Sequence, residues 1–240
     1  MTNRRQFIGS IGAVGAATLA AGCTAAAAQS GGAAAAAPAP ANMTPDQALQ
    51  LLIEGNREFL SGARTSVLTG AQRRLALAQS QSPFAAYVTC SDSRVPPELL
   101  FGRGLGELFI IRNAGNTVDT VALGSVEYAV GVLMTPLVVV MGHERCGAVA
   151  AATQVVTENA TFPGQIGRMI EPIIPAVLQA RGQAGDLVDN AVRANVRRVA
   201  DYLRNQTDPL MQEPLRAGRL KVVGAYYDLD TGAVDFFDRG

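Results

Sequence analysis

The sequence predicts an α/β fold: one central, mostly parallel β-sheet flanked by helices. Three observations predict it. Residues 84–89, 108–111 and 137–141 are apolar runs of strand length without polar alternation, as expected of strands buried on both faces. Segments of helical character, residues 97–101, 118–132 and 144–155, separate those runs, and such a βαβ rhythm belongs to parallel sheets. Hydrophobic residues make up 48% of the 240, enough for one sizeable core in a domain of about 200 residues.

The first 42 residues do not belong to that domain. Arg4 and Arg5 precede an apolar stretch, residues 8–21, that is too short to span a bilayer as a permanent helix. Residues 1–23 therefore read as an export leader, and the paired arginines make it similar to a twin-arginine leader; an ordinary secretory leader is the alternative. "LAAGC" resembles a lipoprotein cleavage box, although Ala20 stands three residues before Cys23 where Leu is usual. Cys23 is thus a candidate lipid anchor, with cleavage in the following Ala run as the other outcome. Residues 24–42 form a low-complexity linker rich in Ala, Gly and Pro, without core-forming side chains. The expected address is the periplasm or cell envelope.

The domain itself, residues 43–240, opens with a helix marked at both ends. Thr44 is its N-cap, Pro45 suits the first turn, Gln47 completes a capping box, and Gly62 ends it. Ala48, Leu51, Leu52 and Phe59 form its apolar face. A second helix is expected over residues 71–79, then the alternating strands and helices, then helices over 167–180 and 187–204. "RLKVVGAYYDLDTGAVDFF" reads as a strand, a turn at residues 230–232 and a short antiparallel return. There is no internal repeat and no second domain.

Charge excludes some partners. Beyond residue 42 the chain has 18 basic and 20 acidic residues, no footprint for nucleic acid or an anionic membrane. The mature chain has no candidate transmembrane span. "GRGLG" at residues 102–106 lacks the Lys and Ser/Thr of a phosphate loop and reads as a turn. Arg197 and Arg198 read as a solvated helix face.

Histidine and cysteine usage points to chemistry. Beyond the leader there is one His, His143, and there are two Cys, Cys90 and Cys146. All three fall in two short polar motifs, "CSDSRV" and "GHERCG". Cys90 ends the first strand, and Asp92, two residues on, faces the same side of an extended segment. His143 and Cys146 are i and i+3 at the start of a helix, which puts them on one helical face. A helix N-terminus also favours thiolate at Cys146. Both motifs follow strands, at the sheet end where α/β folds bind ligands. Two sulfurs and an imidazole suit zinc. A Cys90–Cys146 disulfide is the alternative in an exported protein. Export of a folded, metal-loaded chain would occupy both thiols before they meet an oxidising compartment. A structural zinc needs four closing ligands, whereas this chain offers three of Cys or His type. The fourth place falls to Asp92 or to water, and water makes the site catalytic.

"CSDSRV", with His143 of "GHERCG" 53 residues after Cys90, strongly resembles the β-class carbonic anhydrases, and "ELFIIRNAGN" and "SVEYAV" between them match in order and spacing. The resemblance covers residues 44–238. It implies that family's fold, with N-terminal helices packing on a partner subunit, and reversible hydration of carbon dioxide by zinc-bound hydroxide. It implies one zinc per chain on Cys90, His143 and Cys146, and an Asp92–Arg94 pair. Paired, Asp92 leaves the fourth position to water; unpaired, it can close the site. Charge gives that switch meaning: Zn²⁺, two thiolates and a neutral imidazole sum to zero, and a fourth, anionic ligand would make the site negative.

The resemblance further implies a carbon dioxide pocket from Gln81, nine residues before Cys90, with Phe109 and Tyr128, completed across a homodimer or larger assembly. One subgroup binds inhibitory bicarbonate through a Trp, an Arg and a Tyr. Tyr87 stands here where that Trp would be, although Arg112 matches the Arg, so strong bicarbonate inactivation is not expected. Residues 112–116 are expected to shape the loop lining the pocket. Activity should rise towards mildly alkaline pH, and His143, spent on the metal, leaves no histidine shuttle. Rival readings are hydrolysis of carbonyl sulfide or carbon disulfide, or a non-catalytic zinc-binding envelope protein. A zinc deaminase is excluded because the chain has no C-x-x-C.

Overall fold

A computed structural model describes residues 43–62, 67 and 69–240. The expected leader, linker and Cys23 lie outside the described residues. The elements run α1 (Pro45–Leu60), α2 (Ala71–Leu77), β1 (Ala85–Cys90), α3 (Pro97–Leu100), β2 (Leu108–Asn113) and α4 (Thr120–Glu127). After a π-helical turn, Tyr128–Val132, come β3 (Leu137–His143), α5 (Gly147–Glu158), α6 (Ile166–Ile170) and, past a 3₁₀ turn, α7 (Ile174–Ala180). The chain closes with α8 (Leu187–Arg204), α9 (Pro209–Arg216), β4 (Lys221–Tyr227) and β5 (Val234–Asp238). Among these helices none is long and apolar enough to cross a membrane.

The five strands form one sheet in the order β2-β1-β3-β4-β5, parallel except for the antiparallel pair β4 and β5. Every residue of β1 and β3 is buried, which explains their lack of alternation. Successive side chains serve two cores. Tyr87, Val139 and Ala225 meet α1 and α3 on one face. Ala86, Val88 and Val140 meet α8, α9 and the π-helical turn on the other. A third cluster under α5, α7 and α8 contains Cys90 and Cys146. β2 is an edge strand and only partly buried.

α1 has the expected capping box: Thr44 accepts from the Gln47 amide, and the Gln47 side chain accepts from the Thr44 amide. Leu52 and Ala48 are fully buried, but Phe59 is half-exposed and Asn56 is buried in its place along the core face. Asn56 Nδ2 donates to the Gly232 carbonyl at 3.0 Å and its Oδ1 accepts from Val234 N at 2.9 Å. α1 therefore packs on its own sheet and clamps the β4–β5 turn, with each buried hydrogen bond contributing about 0.5–1.5 kcal/mol. α2 buries nothing and leaves Leu75 exposed.

Other boundaries move for local reasons. Pro172 breaks the helix expected over 167–180 into α6, a 3₁₀ turn and α7. The segment expected over 118–132 begins at its Asp119 N-cap and loosens into the π-helical turn. α9 was not expected; Asp208 caps it and Pro209 starts it. Arg197 is not merely solvated, since its guanidinium lies 4.8 Å over the Phe237 ring.

Candidate metal centre

β1 and β3 bring the two motifs together. Thr89 lies opposite Met141, so Cys90 ends β1 one residue past that rung and His143 ends β3 two past it. Both strands deliver their last residues at the same rim of the sheet. Cys146 is the N-cap of α5, carried there by a two-residue turn, Glu144 and Arg145. His143 and Cys146 therefore do not share a helical face, as their spacing suggested. One is a strand end and the other a helix cap, and Arg145 makes the turn with φ +52°.

The donor set fits a metal. The ligand atoms of Cys90, His143 and Cys146 lie within 4.8 Å of one another, and all three residues are buried. His143 Nδ1 sits 2.9 Å from the Glu144 carbonyl. A carbonyl only accepts, so Nδ1 carries the proton and Nε2 keeps a free lone pair. That Nε2 is buried and has no hydrogen-bond partner among the described residues. A bare imidazole nitrogen in a dry site costs free energy unless something binds it. The two sulfurs are 4.0 Å apart and unbonded. Two thiolates on a tetrahedral zinc, each at about 2.3 Å, stand about 3.8 Å apart, whereas a disulfide needs about 2.05 Å.

Charge makes the same point. The neighbouring Cys146 thiol, with lesser help from His143 and the Gly115 amide, pulls the Cys90 thiol well below its ordinary range. Cys146 is pushed far up by Cys90, then by burial, and the amides of Val149 and Ala148 at the helix start do not reverse that. Two buried thiols this close do not both ionise unaided; a divalent cation between them removes the conflict. The amides at the helix N-terminus favour the Cys146 thiolate, as expected, but are outweighed by Cys90 and burial.

Asp92 faces the cluster, with Oδ2 3.9 Å from His143 Nε2. Arg94 holds it there: Nε donates to Oδ1 at 2.9 Å, Nη2 to Oδ2 at 2.7 Å, and its backbone amide to Oδ1 at 2.9 Å. Those bonds hold the Asp92 carboxyl far below the usual carboxylate range. Behind the site, Arg112 donates to the carbonyls of Cys90 and Asp92 at 2.9 and 2.6 Å. Its guanidinium thus fixes the "CSD" backbone, a role that the sequence did not suggest. Tyr87 is fully buried on the α1 side, against Phe101. Gly115 donates to Cys90 Sγ at 3.4 Å, with φ +82° and a Cβ position only 2.6 Å from Ile173 Cδ1, so only glycine fits there. Asn195 secures that loop by donating to the Gly115 carbonyl at 3.0 Å.

The expected pocket residues are elsewhere within one chain. Phe109 pairs with Ala86, four residues before Cys90 on β1 and so about 13 Å along the strand. Its ring is 6.1 Å from that of Tyr128, which is 45% exposed. Gln81 is exposed in the segment leading into β1. The structure gathers Cys90, Asp92, Arg94, His143 and Cys146, and leaves Gln81, Phe109 and Tyr128 apart from them.

A parallel sheet with a buried Cys₂His donor set at the ends of its central strands defines an α/β zinc protein. Comparison with known proteins narrows this. The model of the family described as "Carbonic anhydrase" matches residues 85–234. A carbonic anhydrase of Mycolicibacterium smegmatis is 37% identical over 194 residues, which are 81% of this chain and 94% of that protein. A tetrameric β-carbonic anhydrase of Sordaria macrospora superposes with TM-score 0.61 at 27% identity, over 68% of this chain and 84% of that one. The β-carbonic anhydrase of Coccomyxa in complex with acetazolamide superposes with TM-score 0.61 at 29% identity, over 79% and 86%. The chain belongs to the carbonic anhydrase family, in its β class, whose metal is zinc.

Proposed function

We propose that this chain catalyses the reversible hydration of carbon dioxide to bicarbonate and a proton, with one zinc ion held by Cys90, His143 and Cys146. The observation that carries the reading is His143 Nε2, buried and partnerless beside two free thiols. When bound, zinc supplies a Lewis acid that acidifies water and so provides a nucleophile near neutral pH. The remaining work belongs to the chain. Cys90 and Cys146 bring two negative charges and His143 a neutral nitrogen, which neutralises a divalent cation without overcharging the site. The Glu144 carbonyl fixes the tautomer that leaves Nε2 bare. Arg94 engages both Asp92 oxygens, keeping that carboxylate off the cation and one approach open to water. Asp92 Oδ2 then accepts a hydrogen bond from the reacting water. Because Arg94 keeps it ionised, Asp92 acts as an acceptor and not as an acid. The chain's one histidine is spent on the metal, so the released proton leaves through buffer or a surface carboxylate.

Gln81, Phe109 and Tyr128 belong to the substrate pocket of a homo-oligomer, where a second copy supplies what one chain lacks. The exposed Tyr128 and Leu75 on α2, and the tetrameric relative, support an assembly of that kind. The paired arginines and apolar stretch support export to the periplasm or envelope after metal loading, with Cys23 as an optional lipid anchor. Stopped-flow carbon dioxide hydration at about pH 8.5, on metal-analysed protein beside Cys146→Ser, tests the proposal. Fast hydration with about one zinc per chain, lost in the variant, is the expected result. A zinc-loaded chain without hydration overturns it.

A further inference from the structure

We infer that Arg145 and Asp230 are positioning residues of the metal centre, paired across the β4–β5 turn to hold the loop between His143 and Cys146 in its left-handed bend. The inference rests on the reading of Cys90, His143 and Cys146 as metal ligands. Neither residue touches the ligand atoms. Arg145 has φ +52°, a conformation that side chains other than Asn and Asp rarely adopt. The bend rotates the chain between a strand end and a helix cap, and so aims His143 Nε2 and Cys146 Sγ at one point. An arginine does not choose that conformation by itself. Its surroundings must favour it, and within the loop only Glu144 faces Arg145, 3.3 Å from Nη1.

The β4–β5 turn supplies the restraint. Arg145 Nη1 donates to Asp230 Oδ2 at 3.0 Å and Nη2 to Oδ1 at 2.5 Å, a forked pair that fixes direction as well as distance. The other residue of the bend is tied to the same hairpin. Glu144 N donates to the Tyr227 carbonyl at 2.9 Å, and Glu144 Oε2 accepts from Leu229 N at 3.0 Å. An isolated ion pair this exposed would do little, because two free side chains would have to be ordered. Here the turn is already ordered from both sides. Asp228 Oδ1 accepts from the amides of Asp230 and Thr231, and the buried Asn56 of α1 grips Gly232 and Val234. Asp230 is a braced anchor, and Arg145 bends the metal loop towards it.

The test compares zinc-loaded full-length chains: wild type, Arg145→Ala, Asp230→Ala, the double variant and Asp230→Glu. Zinc release into excess chelator and the visible spectrum of the cobalt(II)-substituted protein are recorded, with thermal unfolding of each apoprotein as the control. Each single variant is expected to release zinc about 10–100-fold faster, the range for outer partners of metal ligands. The double variant should be no worse than either single one, because the two side chains act as one unit, and Asp230→Glu should recover part of the loss. Altered cobalt spectra beside unchanged apoprotein unfolding would mark a positioning role. Wild-type release rates in the single variants, or additive losses in the double variant, overturn the assignment alone. A wild-type chain that takes up no zinc overturns the metal reading and this inference with it.

Discussion

The two ends of the β1–β2 pair are built differently. At the C-terminal rim Asp92 accepts from Arg94, Arg112 donates to two carbonyls, Cys90 Sγ accepts from Gly115, and the buried His143 Nε2 has no hydrogen-bond partner among the described residues. At the other end the rings of Phe109 and Tyr128 lie 6.1 Å apart, and Tyr128 and Gln81 face solvent. The rim is finished within one chain; the pocket end is not. On the proposed reading, metal binding belongs to the single chain and substrate handling to the assembly.

The largest expected effects lie at the rim. Cys146→Ser should abolish zinc retention and reduce hydration to background, because it removes one of three ligands; metal analysis after dialysis checks it, and full zinc content would refute the ligand set. Arg94→Ala comes next. Freed of its forked partner, Asp92 can turn to the cation, and hydration should fall about 10–100-fold while zinc stays bound. Unchanged steady-state rates would show that Asp92 needs no restraint. Gln81→Leu probes the other end. Losing one hydrogen-bond donor should lower kcat/KM roughly 10-fold in the oligomer, without loss of zinc. A change in zinc content instead would merge the two regions that we separate.

The smallest expected effect concerns Tyr226, level with Gly142 beside the rim and hydrogen-bonded to Asp189. Burial first, then that carboxylate, raise its hydroxyl above the ordinary tyrosine value; burial likewise raises Tyr87 and Tyr227. The folded chain keeps protons that the unfolded chain releases above about pH 10, so stability is intact below that pH and falls as pH rises beyond it. Tyr226→Phe should cost about 0.5–1.5 kcal/mol near pH 8 and flatten part of the alkaline fall. Urea unfolding at about pH 8 and pH 10.5 measures both, and an unchanged pH slope would remove Tyr226 from the explanation.

How much was legible follows from what each end depends on. Strand order of appearance, the capping box of α1 and α8 over Leu187–Arg204 were readable because local periodicity sets them. The apolar-run criterion stopped short of Cys90, Asn113 and His143, since the strands turn polar where their chemistry begins. The bend at Arg145 was illegible: arginine carries no left-handed signal, and its restraint comes from Asp230, 85 residues away. The structural role of Arg112 was not legible, because its long side chain folds back onto the carbonyls of Cys90 and Asp92. α9 was hidden by Pro214 inside it, although Asp208 and Pro209 announced its start. For Gln81, Phe109 and Tyr128 the proposed pocket needs a second copy, which one sequence does not describe.

The most direct test of the Cys90–His143–Cys146 metal centre is zinc-edge X-ray absorption on the purified full-length chain. About one zinc per chain is expected, with two sulfur ligands, one imidazole nitrogen and one further light atom, lost in His143→Ala. Zinc without sulfur in its shell, or a chain whose two cysteines are joined in a disulfide and hold no metal, would contradict it.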